Sequence, residues 1–323
     1  MLLMILDTKT AIAGAQEGIT LCLMTVIPSL LPFFMLSILL TGSVSGIQSK
    51  LLSPISRLCR IPQGSESIFL IGLLGGYPAG AQAVADCFAS GQLRKQDARR
   101  MLGFCSNAGP SFLFGIVASV FSQRSSPWLL WLIHIFSALA VGMLLPGGSN
   151  CGTVLSQQKN VTVPEALTRS VKTMATVCGW IIVFRVILAF FNRWFIWMFP
   201  TPIRVVIFGI AELTVGCTSL SAIQCEGLRF ILAAAFLGFG GICITMQTVS
   251  VTEKTGCGMY IPGKLLQCLL SVLLAAVVQS LFLQDSFPLH PAFYVLGLAF
   301  TALGVYILGK FEKRYSNCVA VDV

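Results

Sequence analysis

The stretch Ile68-Phe69-Leu70-Ile71-Gly72-Leu73-Leu74-Gly75-Gly76-Tyr77-Pro78-Ala79-Gly80 is an apolar run that ends in a cluster of Gly and Pro. A regular helix does not pass unaltered through such a cluster, because Gly leaves the backbone unrestrained and Pro supplies no N–H. Basic residues lie on both sides of the segment 66–90, with Lys50, Arg57 and Arg60 before it and Arg94, Lys95, Arg99 and Arg100 after it. Short loops rich in Lys and Arg stay on the cytoplasmic side of a membrane. The segment 66–90 is therefore expected to enter and leave on one side, as a re-entrant hairpin. Irregular backbone at membrane depth is tolerated only where protein or a water-filled cavity covers it, so the hairpin points to a cavity.

The rest of the chain has a membrane composition. Of 323 residues, 56% are hydrophobic and 10% charged, and the mean hydropathy is +0.87, whereas a soluble domain is about a quarter charged. Apolar runs at 101–121, 127–146, 173–191, 229–250, 265–283 and 291–309 approach the ~20 residues that cross a bilayer as helix. A seventh lies within 12–46, interrupted by Pro28 and Pro32. The net charge of +9 does not signal nucleic acid, because the basic residues sit in the gaps between apolar runs. The twelve cysteines have no regular spacing and read as small packing residues. The N-terminus lacks the charged start and small-residue cleavage site of a secretory signal and reads as uncleaved.

Counting crossings from a cytoplasmic 91–100 loop places 147–172 inside with Lys159, Arg169 and Lys172, 251–264 inside with Lys254 and Lys264, and the tail inside with Lys310, Lys313 and Arg314. The 284–290 loop, with Asp285, falls outside, and so do Arg193 and Arg204, against the charge rule.

A second interrupted segment, 205–225, is expected to break at Thr214-Val215-Gly216-Cys217-Thr218. Residues 68–80 can be laid over 205–217, and Arg100 to Phe112 over Arg229 to Gly241, which matches Arg100 with Arg229. The fold expected is all-α and polytopic, with about seven transmembrane helices and two hairpins. Residues 1–150 form the first repeat and 151–323 the second, with an extra C-terminal helix. Each repeat holds three crossings, an odd number, so the second is inverted. Inverted repeats with paired broken elements are a transporter signature, and the substrate site lies between them.

Candidate site residues follow from the breaks. Ser106, Asn107, Gly109 and Pro110 interrupt an apolar span, and Pro110 can open a helical turn whose free N–H groups face an anion. Tyr77, Pro78, Gly80 and Gln82 belong to the first hairpin. In the second half Glu212 and Arg185 stand at membrane depth, where ionisable residues are costly and functional by default. Glu212 is the candidate for a coupling proton or cation, and Arg185 for a partner of Glu212 or of a substrate carboxylate. Thr214, Thr218, Ser221 and Gln247 add hydroxyl and amide groups. The structural alternative for Tyr77, Ser106 and Asn107 is that they cap helix ends or join helices, and for Glu212 and Arg185 that they form a buried ion pair with each other. Glu17 and Asp86 are read as interfacial.

Enzyme signals are poor. Gly258 to Lys264 matches most of a phosphate loop, but Leu265 replaces the Ser or Thr that holds magnesium, and it reads as a basic loop. His134 and His290 have no metal-ligand neighbours, and there is no nucleophile elbow. No enzyme activity, cofactor or metal is expected.

With Gly75-Gly76-Tyr77-Pro78-Ala79-Gly80-Ala81, the run Gly91 to Arg100 leading into Cys105-Ser106-Asn107-Ala108-Gly109-Pro110, and Glu212-Leu213-Thr214, the chain resembles the sporulation integral membrane proteins of the YlbJ type, within the broader nucleoside-recognition (Gate domain) group. The likeness covers roughly 10–310 and departs in the second half, where an Asn is expected near Val215 and Arg185 is not part of the pattern. The resemblance implies a transporter-like protein of the outer forespore membrane of endospore-forming bacteria, moving dipicolinic acid. Its expected partners are a small-molecule substrate and membrane lipids, with no nucleic acid and a homo-oligomer left open. A non-transporting scaffold for spore assembly and a nucleoside transporter are the alternatives.

Overall fold

The structure is a computed structural model that describes residues 2–44, 52–123, 126–147, 161–282 and 289–319. Lys50, Lys159 and Asp285 lie outside the described residues, as do the side chains of Lys313 and Arg314. The described residues are helical throughout, in the order α1 (Leu2–Leu6), α2 (Thr8–Leu21), a π-helical turn (Cys22–Val26), α3 (Ile27–Val44), α4 (Ser53–Leu58), α5 (Glu66–Gly75), α6 (Ala79–Ala89), α7 (Lys95–Cys105), α8 (Pro110–Gly115), α9 (Ser126–Leu144), α10 (Val163–Trp194), α11 (Thr201–Ala211), α12 (Leu213–Ser219), α13 (Glu226–Phe239), α14 (Gly241–Val251), α15 (Tyr260–Phe282) and α16 (Pro291–Val319).

Among the described residues, six stretches of helix are long and apolar enough to cross a membrane, at Thr8–Leu36, Ser126–Leu144, Val163–Trp194, Glu226–Val251, Tyr260–Phe282 and Pro291–Lys310. The protein is an all-α polytopic membrane protein. The expected helix at 101–121 is not continuous: α7 stops at Cys105, Ser106 to Gly109 run without helix, and α8 restarts at Pro110. The reason is local, since Gly109 is extended at φ −81°, ψ 159° and Pro110 can begin a helix but not continue one.

Both interrupted segments fold back on themselves. Gly76 (φ +76°) turns the chain between α5 and α6, and the two arms meet at Gly72 and Gly80, where any Cβ would strike the Cys105 carbonyl. The arms of the second hairpin, α11 and α12, meet at Gly209 and Gly216 with no room for a Cβ. The sequence superposition placed Gly72 on Gly209. The second turn is at Glu212 (φ −145°, ψ 124°) rather than at 214–218, because the Glu212 carboxylate starts a new helix directly after it.

The loops fall at two ends of the bundle. At one end, the Arg60 guanidinium donates to the carbonyls of Met143 (2.8 Å) and Gly147 (3.4 Å), and Met259 N–H donates to Arg99 O at 2.8 Å. This end gathers Arg57, Arg60, Arg94, Lys95, Arg99 and Lys254. At the other end, Ser122 N–H reaches Glu226 Oε1 at 3.2 Å and Arg229 donates to the carbonyls of Val120 (2.5 Å) and Ile223 (2.6 Å). Trp128, Trp194 and Trp197 are exposed there, in the manner of interfacial aromatics. Arg193 and Arg204 remain at this second end, as the sequence count placed them. The first hairpin enters from the basic end and the second from the Trp end.

Two expected loop charges are not loop charges. Arg100 is buried and donates to the carbonyls of Cys59 (2.8 Å) and Gly142 (2.5 Å). Lys264 is buried on α15. The ten cysteines whose side chains are described are free thiols, six of them buried.

Candidate functional site

The breaks converge on a cavity of about 240 Å³. Gly76 and Tyr77 reach it from the first hairpin turn, Ala108 and Gly109 from the gap between α7 and α8, and Glu212, Leu213 and Thr214 from the second hairpin turn. Gln247 on α14 also lines it. Further wall comes from Ser111 and Phe112 of α8, from Thr25, Val26 and Ser29 around the π-helical turn, and from Val177 and Ile181 of α10.

Polar groups around the cavity are held in place by backbone partners. Glu212 is 3% exposed, and its carboxylate accepts Thr214 N–H at 2.9 Å and Val215 N–H at 2.8 Å. A carboxylate at a helix N-terminus satisfies free donors and meets the positive end of the helix dipole. Glu212 is thus the internal anion of α12. By contrast α14 starts at Gly241 with no side-chain cap, so its first N–H groups have no side-chain acceptor. The Tyr77 hydroxyl donates to Leu237 O at 3.1 Å, fixing the first hairpin turn against the last turn of α13.

Behind Tyr77 lies a buried polar chain. Lys264 Nζ donates to Ser106 O, to Gln267 Oε1 at 2.5 Å and to Tyr77 Oη at 3.3 Å. Gln267 donates to Asn107 Oδ1 at 3.0 Å, Asn107 donates to Phe104 O at 2.8 Å, and Ala108 N–H donates to His134 Nε2 at 3.0 Å. These contacts supply the backbone groups that the break in α7 leaves without helical partners.

Of the residues expected from sequence, Tyr77, Gly109, Glu212, Thr214 and Gln247 line the cavity. Ser106, Asn107 and Pro110 sit beside it in the same break, and Asn107 caps the end of α7 instead of facing the cavity. Pro78 and Gly80 shape the first hairpin without lining the void. Gln82 bonds Asp86 at 3.1 Å and accepts from Thr173 at 3.3 Å in a separate cleft. Thr218 and Ser221 are bonded to carbonyls of their own helical segment, Thr214 O at 2.9 Å and Thr218 O at 2.9 Å. The expected Arg185–Glu212 pair does not form: Arg185 lies 4.0 Å from Glu17, and Glu212 is taken up by α12. Sequence reasoning missed Thr25, Ser29, Lys264 and Gln267.

Over 76% of its length this chain is 27% identical to the sporulation integral membrane protein YlbJ of Bacillus subtilis (strain 168), of which it spans 72%. The expected resemblance to YlbJ-type proteins is borne out. No family model matches the chain, and no solved structure matches it.

Proposed function

We propose that this protein is a carrier for a small anionic metabolite and acts in sporulation, with dipicolinate as the substrate to test first. The observation that carries the reading is the meeting of three chain breaks, from two hairpins entering at opposite ends, at one internal cavity. Paired broken elements at an inverted-repeat interface are where secondary transporters bind substrate, and the order of elements here supports repeats at 1–150 and 151–323. The buried ammonium behind Tyr77 favours a negative ligand. The sporulation part rests on what the printed name says of YlbJ, and the outer forespore membrane is the location that this reading assigns.

The test is uptake of labelled dipicolinate into liposomes containing the purified protein. The parent should accumulate label above empty liposomes, and Tyr77→Phe and Glu212→Gln should each lower the initial rate by about tenfold or more, the scale at which one lost substrate-positioning contact is felt. Equal uptake with and without protein would refute dipicolinate as substrate, and unchanged rates in both variants would refute the site. The gathering of basic loops at one end favours a second reading, a scaffold that recruits partners there. Reversing the charges of Arg94 and Lys95 separates the two: loss of localisation with intact flux supports the scaffold.

A further inference from the structure

Lys264 stands one turn into α15, is 1% exposed, and pairs with no carboxylate among the described residues. Its ammonium has three N–H donors and meets three acceptors: Ser106 O at the end of α7, Gln267 Oε1, and Tyr77 Oη in the first hairpin turn. The rings of Tyr77 and Tyr260 flank Nζ at 5.1 and 6.0 Å from their centres, positions that favour a cation. Every donor is used only in the charged form. A neutral amine keeps two N–H groups and gains a lone pair; Ser106 O and Gln267 Oε1 can only accept, so on losing its proton Lys264 gives up its bond to Tyr77 Oη or takes the hydroxyl proton away from Leu237 O, and either way the Tyr77 turn loses one of its two anchors. Tyr77 lines the cavity, and Ser106 lies two residues from Ala108, which also lines it.

We propose that Lys264 is a proton-binding site coupled to the cavity: with its proton it clamps the Tyr77 turn to the Ser106 break, and without it the two cavity walls separate. Burial of an ammonium without a counter-ion is costly enough that such groups exchange protons instead of holding a fixed charge. Other titratable groups around Nζ are Tyr77 from the hairpin, Cys105 from α7, His134 from α9, and Tyr260 and Cys268 from α15 itself. α16 presents Val305 and Leu308 to this part of the core, and among the described side chains no carboxylate pairs with Nζ. The His134 ring accepts Ala108 N–H through Nε2, which requires that nitrogen to be unprotonated. The clamp rests on the transport reading for its purpose only; the proton site stands or falls without a substrate.

Amide hydrogen exchange of the purified protein in lipid nanodiscs, from about pH 6 to about pH 10 and corrected for intrinsic chemical exchange, tests it. The range reaches from well below to near the ordinary lysine value of about 10.4. The amides of Gly76, Tyr77, Ala79 and Gly80 and of residues 106–109 should open by about tenfold or more across the range in the parent, the local-opening signature of a released contact. Lys264→Arg, which stays charged, should hold these amides slow at all pH values, and Lys264→Met should leave them fast at all pH values. His134→Gln should keep the parent pH dependence at Gly76, Tyr77, Ala79 and Gly80, away from the Ala108 N–H that His134 itself accepts. A flat parent profile, a Lys264→Arg profile that still rises, or loss of the rise in His134→Gln would each overturn the proposal. Should Lys264→Met fail to fold, the parent, Lys264→Arg and His134→Gln still decide.

Discussion

Glu212 illustrates how one side chain can serve the cavity and the fold together. Its two oxygens each accept one N–H of the first turn of α12, so removing the carboxylate leaves two buried donors without partners. Glu212→Ala should lower stability by about 1–3 kcal/mol, the cost of leaving buried donors unmet. Glu212→Gln keeps one acceptor oxygen and should lose about half of that. Thermal unfolding of the two variants in one detergent checks the order; equal melting of parent and Glu212→Ala would show that the cap contributes nothing. Tyr77, Gly109, Glu212 and Thr214 were legible because each stands at or beside a local event in the chain, a Gly-Pro cluster or an acidic residue inside an apolar run. Lys264 was not legible. It follows Gly256, Gly258 and Pro262, which look like a loop, and its acceptors lie 158 and 187 residues away in the chain, beyond any pattern of spacing.

At the level of elements, each hairpin depends on close backbone approach between its arms. Gly80→Ala places a methyl group against the Cys105 carbonyl and should cost about 1–3 kcal/mol or more through overpacking. Thr218→Ala, on an exposed face of α12, should change stability by less than about 0.5 kcal/mol. A parent-like melting temperature for Gly80→Ala would mean that the arms are not locked together. The hairpins were readable because Gly, Pro and flanking charge are compositional signals. The break at 106–109 was noticed as polar and yet placed inside a continuous helix, because the apolar run around it has the length of a crossing. Hydropathy reports length and apolarity; it does not report whether the backbone ladder is intact. The second turn was misplaced by two residues for a related reason, since the Gly-containing stretch was taken as the weak point while a carboxylate caps and restarts the helix before it.

Across the whole molecule, charge and aromatic residues separate to opposite ends. Cysteines introduced at Lys95 and Lys254, in a background without native cysteines, should react with a membrane-impermeant thiol reagent from one side of the membrane, and cysteines at Ser122 and Trp197 from the other. Labelling of Lys95 and Trp197 positions from the same side would contradict the placement of the two hairpins at opposite ends. Arg193, Arg204 and Arg229 are among the exceptions to this segregation of basic residues, and each has local partners: Arg193 lies 3.9 Å from Asp7, Arg204 donates to Phe199 O at 2.6 Å, and Arg229 donates to Ile223 O at 2.6 Å. A charge-counting rule sees the arginines and not what holds them.

The π-helical turn Cys22–Val26 has a further consequence. Thr25 and Val26 face the cavity, while Leu23 and Met24 of the same turn are 58% and 77% exposed on its outer side. A single helix therefore separates the cavity from the surrounding acyl chains, and Pro28 just beyond the turn cannot supply the N–H that would stiffen it. Detergent tails and lipid chains are thus neighbours, and competitors, of any ligand in that space. Affinities measured in micelles and in bilayers should differ for this protein, and the bilayer value is the one that describes its working state.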